Sequence, residues 1–300
     1  MENRKDNIMK KIFIFAFALI TGSMAFTSCD NQNNNGKGSD PVNPTQVTAA
    51  DFKGEWRMDS MIAPSYSHYE RVLVEFKDPS VKDGILTFTG QEWDDEKWDY
   101  VDVSVSYEIV SFDRGIKFAA LKEKDVKLLV WSEKEQKDIE VVEDVIHYFS
   151  TLPEITGKDL AVSEENIKGI WFEEYEEYRD GDQPLTKSVT PHYNFDYFGD
   201  NHEYLNLMAV ELNPLNAFPH PGYWKFYNGG MKFIETYNGQ TYENIDWETY
   251  GNFYKIDKLT DKFMVLHATW SGDYGSGEEF LYFSRTDMKK EDIIRDYNKD

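Results

Sequence analysis

Chemistry at a protein site needs particular side chains at particular spacings, and this sequence offers few. The six histidines (His68, His147, His192, His202, His220 and His267) never form an H-E-x-x-H pair. A single cysteine, Cys29, leaves neither a thiolate metal cluster nor a disulfide. Asp94-Asp95-Glu96 with Asp99, and Asp196 with Asp200 and Glu203, supply hard oxygen ligands of the kind that hold Ca²⁺. Neither fits the D-x-[DN]-x-[DN]-G loop, and in a chain with 55 acidic residues solvated loops are the simpler reading. Two carboxylates about 5–9 Å apart can hydrolyse a glycosidic bond, but among so many acids the sequence nominates no pair. It contains no G-x-S-x-G and no phosphate-cradling glycine loop. The expectation is a protein that is not an enzyme, with no catalytic residue, metal or cofactor. Aromatic side chains are what remains. Trp93 and Trp98 bracket an acidic loop, where they either stack on a sugar or an apolar partner or cover the mouth of a barrel. Phe218-Pro219-His220-Pro221-Gly222-Tyr223-Trp224 reads as a proline-rich approach to a strand, with Trp224 in the core.

Cys29 has a different setting. Lys10 and Lys11 precede an apolar run, Ile12 to Ile20, of nine residues. That is too short to cross a hydrocarbon layer, which takes about 20, and long enough for a secretory signal. Met9-Lys10-Lys11 is an orthodox signal start by itself, so translation begins at Met1 or at Met9. Thr21, Gly22 and Ser23 follow the apolar run, and Phe26-Thr27-Ser28 lead into the cysteine. This run resembles the relaxed lipobox of Bacteroidota-type lipoproteins. The resemblance implies that the Cys29 thiol carries diacylglycerol and that cleavage before it makes it the acylated N-terminus of an outer-membrane lipoprotein of a bacterial cell envelope, facing the periplasm or the cell surface. Each buried CH₂ of such an anchor contributes about 0.8 kcal/mol. The alternative is an ordinary signal cut near Ala25. On the lipoprotein reading, residues 1–28 are the signal peptide and 29–47 a tether, since Asp30 to Pro41 contains no apolar side chain to order it.

The formal net charge of −23 argues against nucleic acid and against anionic membrane surfaces as ligands. The membrane lipid reached through the acyl anchor is the one partner the sequence points to directly. Without disulfides, the remaining 250 or so residues must rely on hydrophobic cores, and their length suits two domains. The high aromatic content, 16%, lies in alternating segments that favour strands.

Those segments occur twice. Asp51-Phe52-Lys53-Gly54-Glu55-Trp56 recurs as Asn166-Ile167-Lys168-Gly169-Ile170-Trp171, each after a capping residue, Thr48 or Ser163, that suits a helical turn. Tyr107-Glu108-Ile109 answers Tyr254-Lys255-Ile256, Trp131-Ser132 answers Trp270-Ser271, and Tyr148-Phe149-Ser150 answers Tyr282-Phe283-Ser284. Val101, Val103 and Val105 alternate with polar residues, the period of a strand. Asn228-Gly229 and Asn238-Gly239 read as two-residue hairpin turns; Asp113-Arg114-Gly115 and Thr260-Asp261-Lys262 read as further turns. The chain is therefore predicted to be all-β: two tandem antiparallel meander barrels, 48–155 and 156–300, the second closed by a short C-terminal helix with Met288, Ile294 and Tyr297 on one face.

Gly-x-Trp on the first strand, followed by a meander that ends in a Tyr-Phe strand, resembles the lipocalin-like domains of Bacteroidota lipoproteins over roughly residues 50–152 and 160–286. The resemblance implies that Trp56 and Trp171 pack across the closed ends of the barrels, and that a small apolar molecule is a candidate ligand. The modules look shorter than a full eight-stranded barrel. Three functions are carried forward. The first is a binding protein that takes a small apolar molecule or glycan in or at the mouth of a barrel. The second is a surface or periplasmic interaction protein with filled barrels that recognises a partner through loops. The third, a carbohydrate-active enzyme, has the least support.

Overall fold

The computed structural model describes residues 39–294, apart from 70, 95, 96, 213, 214, 237–239, 273 and 274. The signal sequence, Cys29 and the first part of the tether lie outside the described residues. The chain is all-β and divides into two compact units, one ending at Leu152 and the next beginning at Pro153.

The first unit holds β1 (Pro41–Val42), β2 (Glu55–Ala63), β3 (Tyr66–His68), β4 (Val72–Glu75), β5 (Lys77–Lys82), β6 (Ile85–Asp94), β7 (Asp99–Asp113), β8 (Phe118–Ser132) and β9 (Lys137–Thr151). The antiparallel order runs β3-β2-β9-β8-β7-β6-β5, with β4 also on β2 and β1 on β7. Only Phe76 separates β4 from β5, so one bent segment lies on β2 with its first half and on β6 with its second. The ring of six walls is completed by the chain at that residue. Every wall sends side chains inward: Trp56, Phe76, Leu86, Phe88, Ile109, Phe112, Ala119, Leu121 and Phe149 form one buried cluster. Each large apolar side chain buried there contributes about 1.5–3 kcal/mol.

The second unit holds β10 (Gly169–Asp180), β11 (Thr186–Ser188), β12 (Tyr193–Phe198), β13 (Glu203–Leu212), β14 (Leu215–Tyr227), β15 (Gly230–Glu235), β16 (Phe253–Leu259), β17 (Phe263–Gly272) and β18 (Gly275–Thr286). Here the pairing of β10 with β18 closes eight strands, β10 and β12 to β18, into a complete antiparallel barrel. This corrects the expectation of a module shorter than eight strands: relative to the first unit, one hairpin has been added. The Asn228-Gly229 turn has φ values of 50° and 76° and joins Tyr227 to Gly230, as a type I′ hairpin requires. Asn238-Gly239 lies outside the described residues; β15 ends at Glu235 and β16 begins at Phe253. The proline-rich segment is not an approach to a strand but the interior of β14. It is tolerated because the β14–β15 ladder stops at Gly222. The backbone oxygen of Pro221 faces that side, accepting from Thr236 N at 2.9 Å, so the missing N–H points where no ladder continues. The C-terminal helix is a single turn, Lys290–Ile293; Ile293 is buried and Lys290 is bound to Glu203, while Tyr297 lies outside the described residues.

The two units repeat each other in detail. In each, a capped turn precedes the Gly-x-Trp strand. Thr48 N donates to Asp51 Oδ2 at 2.9 Å, and Asn166 N donates to Ser163 Oγ at 3.4 Å. Trp56 pairs with Thr151 and Trp171 with Arg285, one residue beyond the matching serines. Asp59 bulges out between the Met58–Phe149 and Ser60–Tyr148 pairs; Glu174 does so between Glu173–Phe283 and Tyr175–Tyr282. The partner strand answers both bulged carboxylates with a hydroxyl: Ser150 Oγ donates to Asp59 at 2.7 Å and Ser284 Oγ to Glu174 at 2.6 Å. A second bulge skips Val110 in β7 and Asp257 in β16, each next to an Ile–Leu pair. Trp131 and Trp270 do not fit this register. Trp131 lies twelve residues past Ala119 and Trp270 six past Met264, although Ala119 and Met264 face equivalent phenylalanines. They share a hairpin tip, not a wall position.

Glu174 is buried, so its hydroxyl donor carries weight. Ser284→Ala is expected to lower stability by about 1–2 kcal/mol, read as a shifted urea midpoint with unchanged slope. Ser150→Ala, beside the more exposed Asp59 that Arg57 also binds at 2.6 Å, should cost less.

Candidate functional site

The first unit carries more strand than its barrel uses. β7 pairs with β8 only from Glu108 to Asp113, yet it continues with β6 back to Asp99. Likewise β8 continues with β9 to Ser132, while β2 reaches β9 only as far as Ile146. Two antiparallel ribbons therefore run past the packed core, β6–β7 and β8–β9. The stretch of β7 from Asp99 to Tyr107 spans about 30 Å at the usual rise per residue. The parting has a local cause. Between the Glu123–Val145 and Val126–Glu143 pairs, β8 bulges at Lys124 and Asp125, and Asp125 has φ 57°. A bulge bends its strand and increases the twist, which turns β8 away from β7 where their ladder ends.

Alternation then sorts the ribbon side chains. Val101, Val103 and Val105 on β7, with Leu128, Val130, Ile139 and Val141 on β8–β9, are half-buried on one face. The other face carries Tyr100 and Asp102 on one ribbon, and Lys127, Leu129, Trp131, Asp138, Glu140 and Val142 on the other. Among the described residues, six large hydrophobic side chains are more than half exposed, and five belong to the ribbons: Trp98 (81%), Leu129 (72%), Tyr100, Trp131 and Val142. The sixth is Tyr250 in the second unit. Apolar side chains exposed on a ribbon beyond the core take no part in packing that core, and such a patch is of the kind that marks an interaction surface.

The second unit concentrates its polar chemistry inside the barrel. The lower interior is apolar: Trp171, Phe198, Trp224, Met264 and Phe283 are buried, and Trp224 Nε1 donates to Gly199 O at 3.0 Å. Above it lies a layer of acids and amides. Asp196 pairs in register with Trp171 and Asn206, and its Oδ1 accepts from Tyr204 Oη at 2.9 Å and Asn206 Nδ2 at 3.0 Å. Asn194 Nδ2 donates to Glu173 at 3.4 Å, and Tyr254 Oη donates to Glu279 at 3.2 Å. Burial pushes the Asp196 carboxyl up to about 7. The neighbouring Glu173 charge adds to this, and the two donated hydrogen bonds oppose it. Burial also raises Glu279, with Glu176 and Glu173 adding to the shift. Asp196 is thus largely protonated below pH 7 and about half protonated at pH 7; it is buried in the barrel, with its Oδ1 accepting from Tyr204 and Asn206.

The residues nominated by sequence are scattered. Trp56 and Trp171 are fully buried among the two cores. Trp98 is at the tip of the β6–β7 ribbon. The backbone of Trp93 pairs with Tyr100, and its side chain lies outside the described residues. The acidic triad of Asp196, Asp200 and Glu203 is not brought together: Asp196 is inside the barrel, while Asp200 binds Lys168 at 2.9 Å and Glu203 binds Lys290 at 3.0 Å. Among the described residues no group of three or more Asp, Glu, His or Cys side chains could hold a metal ion. Sequence reasoning missed Tyr100, Leu129, Trp131 and Val142 as a surface, and Glu173 as a carboxylate that acts on both Asp196 and Glu279.

No protein-family model and no curated protein matches this chain. Among solved structures it is similar to a DUF3598-family protein of unknown function from Nostoc punctiforme, at 10% identity over 79% of this chain and 97% of that one, with a TM-score of 0.20. It is also similar to a Bacteroides fragilis protein assigned provisionally to the outer membrane, at 11% identity over 82% of this chain and all of that one, with a TM-score of 0.22.

Proposed function

We propose that this is a non-enzymatic, lipid-anchored protein of the bacterial cell envelope whose filled, lipocalin-like barrels hold the ribbons of the first unit out to a macromolecular partner. The observation that carries the reading is the concentration of exposed aromatic and aliphatic side chains on β6–β7 and β8–β9, beyond the core. The interior of the first unit is occupied by its own side chains, and that of the second by an apolar floor under a hydrogen-bonded acid layer. Both arrangements favour recognition on the outside over an apolar ligand inside.

The tether supports the same direction. β1 lies on Phe112 and Asp113, at the end of β7 opposite Asp99. A chain anchored at Cys29 enters the unit at that end of β7, the end far from Trp98.

A photo-crosslinking residue at Trp131 in the native host should trap one discrete partner, and the same residue at Tyr227 in the second unit should not. The pair Trp98→Ala, Trp131→Ala should abolish the partner's binding. Native mass spectrometry of the soluble form purified from its host should give the apo mass. Unchanged partner binding in the double variant, or a retained small molecule released by substitutions inside a barrel, would overturn the proposal.

A further inference from the structure

A ribbon that parts from its sheet leaves strand edges, and an edge is a template for another strand. In β7 the direction of each backbone group follows from one hydrogen bond: Ile109 N donates to Gly84 O at 2.8 Å, toward the β6 side. Alternation in an antiparallel pair then sends the odd residues of β7 toward β6 and the even ones to the opposite edge. From Tyr107 back to Asp99 no strand among the described residues covers that edge, so the N–H and C=O groups of Asp102, Ser104 and Ser106 line an open ladder.

The side chains on either side of this edge specify what would fit. One face is Val101, Val103 and Val105, half-buried. The other carries Asp102, with Asp138 and Glu140 on the corresponding face of the neighbouring ribbon. Residues 91–106 and 123–145 together contain fourteen acidic and five basic side chains. That charge repels a second copy of the chain and an anionic lipid surface alike, and it attracts a cationic segment.

We propose that the open edge of β7, Asp99 to Tyr107, receives an extended basic segment of a protein partner as an added strand. Alternate apolar side chains of that segment lie on the valine face, and its lysines or arginines lie among the carboxylates of the opposite face. This rests on the ribbons being the recognition surface, and it adds the chemistry of the partner. Main-chain hydrogen bonds would supply affinity, and the alternation of apolar and basic residues would supply specificity.

The test uses the full soluble chain and a capped peptide of about ten alternating valine and lysine residues. Binding should slow amide exchange at Asp102, Ser104 and Ser106. Ser104→Pro removes one edge N–H and leaves the β6 ladder intact. It should weaken peptide binding by at least about tenfold while leaving the thermal midpoint within a few degrees. A peptide of the same composition with its valines and lysines in two blocks should bind at least about tenfold more weakly than the alternating one. Equal binding by Ser104→Pro, equal binding of the block peptide, or protection elsewhere without protection at these amides would each overturn strand addition, as would binding to anionic vesicles or dimerisation through the ribbons. If the partner trapped at Trp131 is lost in the tryptophan double variant but kept in Ser104→Pro, the ribbons remain the recognition surface and strand addition alone fails.

Discussion

Trp171→Ala should destabilise the second unit by about 3–5 kcal/mol, the usual cost of deleting a fully buried tryptophan. The local geometry places it toward the top of that range. Trp171 is completely buried, and its indole N–H donates to Ile167 O at 2.6 Å, tying the capped turn Glu164–Ile167 to the barrel wall. The Arg285 guanidinium lies over the indole ring at 4.6 Å and is itself half-buried, which lowers its pKa below the usual arginine value. Truncation leaves a cavity, an orphaned carbonyl and a desolvated cation without its aromatic partner. Trp56→Ala should cost less on the polar side, because the buried Trp56 Nε1 has no hydrogen-bond partner among the described residues. The pair of tryptophan-to-phenylalanine variants isolates that difference: Trp171→Phe should lose about 1 kcal/mol more than Trp56→Phe. Urea unfolding followed by amide exchange, in β10–β18 for the Trp171 variants and in β2–β9 for the Trp56 variants, measures both. Equal losses would show that the indole hydrogen bond contributes nothing.

The tryptophans were legible in the sequence because their motif is local. Gly-x-Trp, a capping residue and a helical turn occupy consecutive positions, and the second copy supplied the check. Tyr107–Ile109 with Tyr254–Ile256 and Phe149-Ser150 with Phe283-Ser284 were legible for the same reason, and both pairs fall at matching registers and beside matching bulges. Trp131-Ser132 and Trp270-Ser271 look equally alike, but their likeness marks a hairpin tip and hides six extra residues of strand. The ribbons had a signal of their own. β7, β8 and β9 are each 15 residues long, more than twice the common strand length of about 5–6. Alternation alone could not show this, since it marks a strand without saying where the barrel ends. The acid layer had no signal. Glu173, Asp196 and Glu279 come from three strands that closure brings together, and in a chain this acidic no three carboxylates stand out beforehand.

That layer makes the stability of the second unit depend on pH in a direction unusual for a carboxylate. Asp196 ionises near 3.8 in an unfolded chain and at about 7 in the barrel. Between these values the folded state holds a proton that the unfolded state has released, so stability falls as pH rises, and above about 7 this contribution levels off. The full span corresponds to about 4 kcal/mol. Asp196→Asn keeps an oxygen to accept from Tyr204 and Asn206 and removes the ionisable group, so it should be more stable than the parent at every pH above 4. Its advantage should grow by about 2–3 kcal/mol between pH 5 and pH 8. Glu173 and Glu235, whose charges act on Asp196, are present in both proteins, as is His220, which lies 3.6 Å from Glu235. Their shared contributions largely cancel in the difference, which leaves Asp196 as its main source. Urea midpoints of the two proteins at pH 5 and pH 8 decide the matter. An advantage that does not change with pH would mean that the folded Asp196 ionises like an exposed carboxylate, and the barrel interior would then have to be wet.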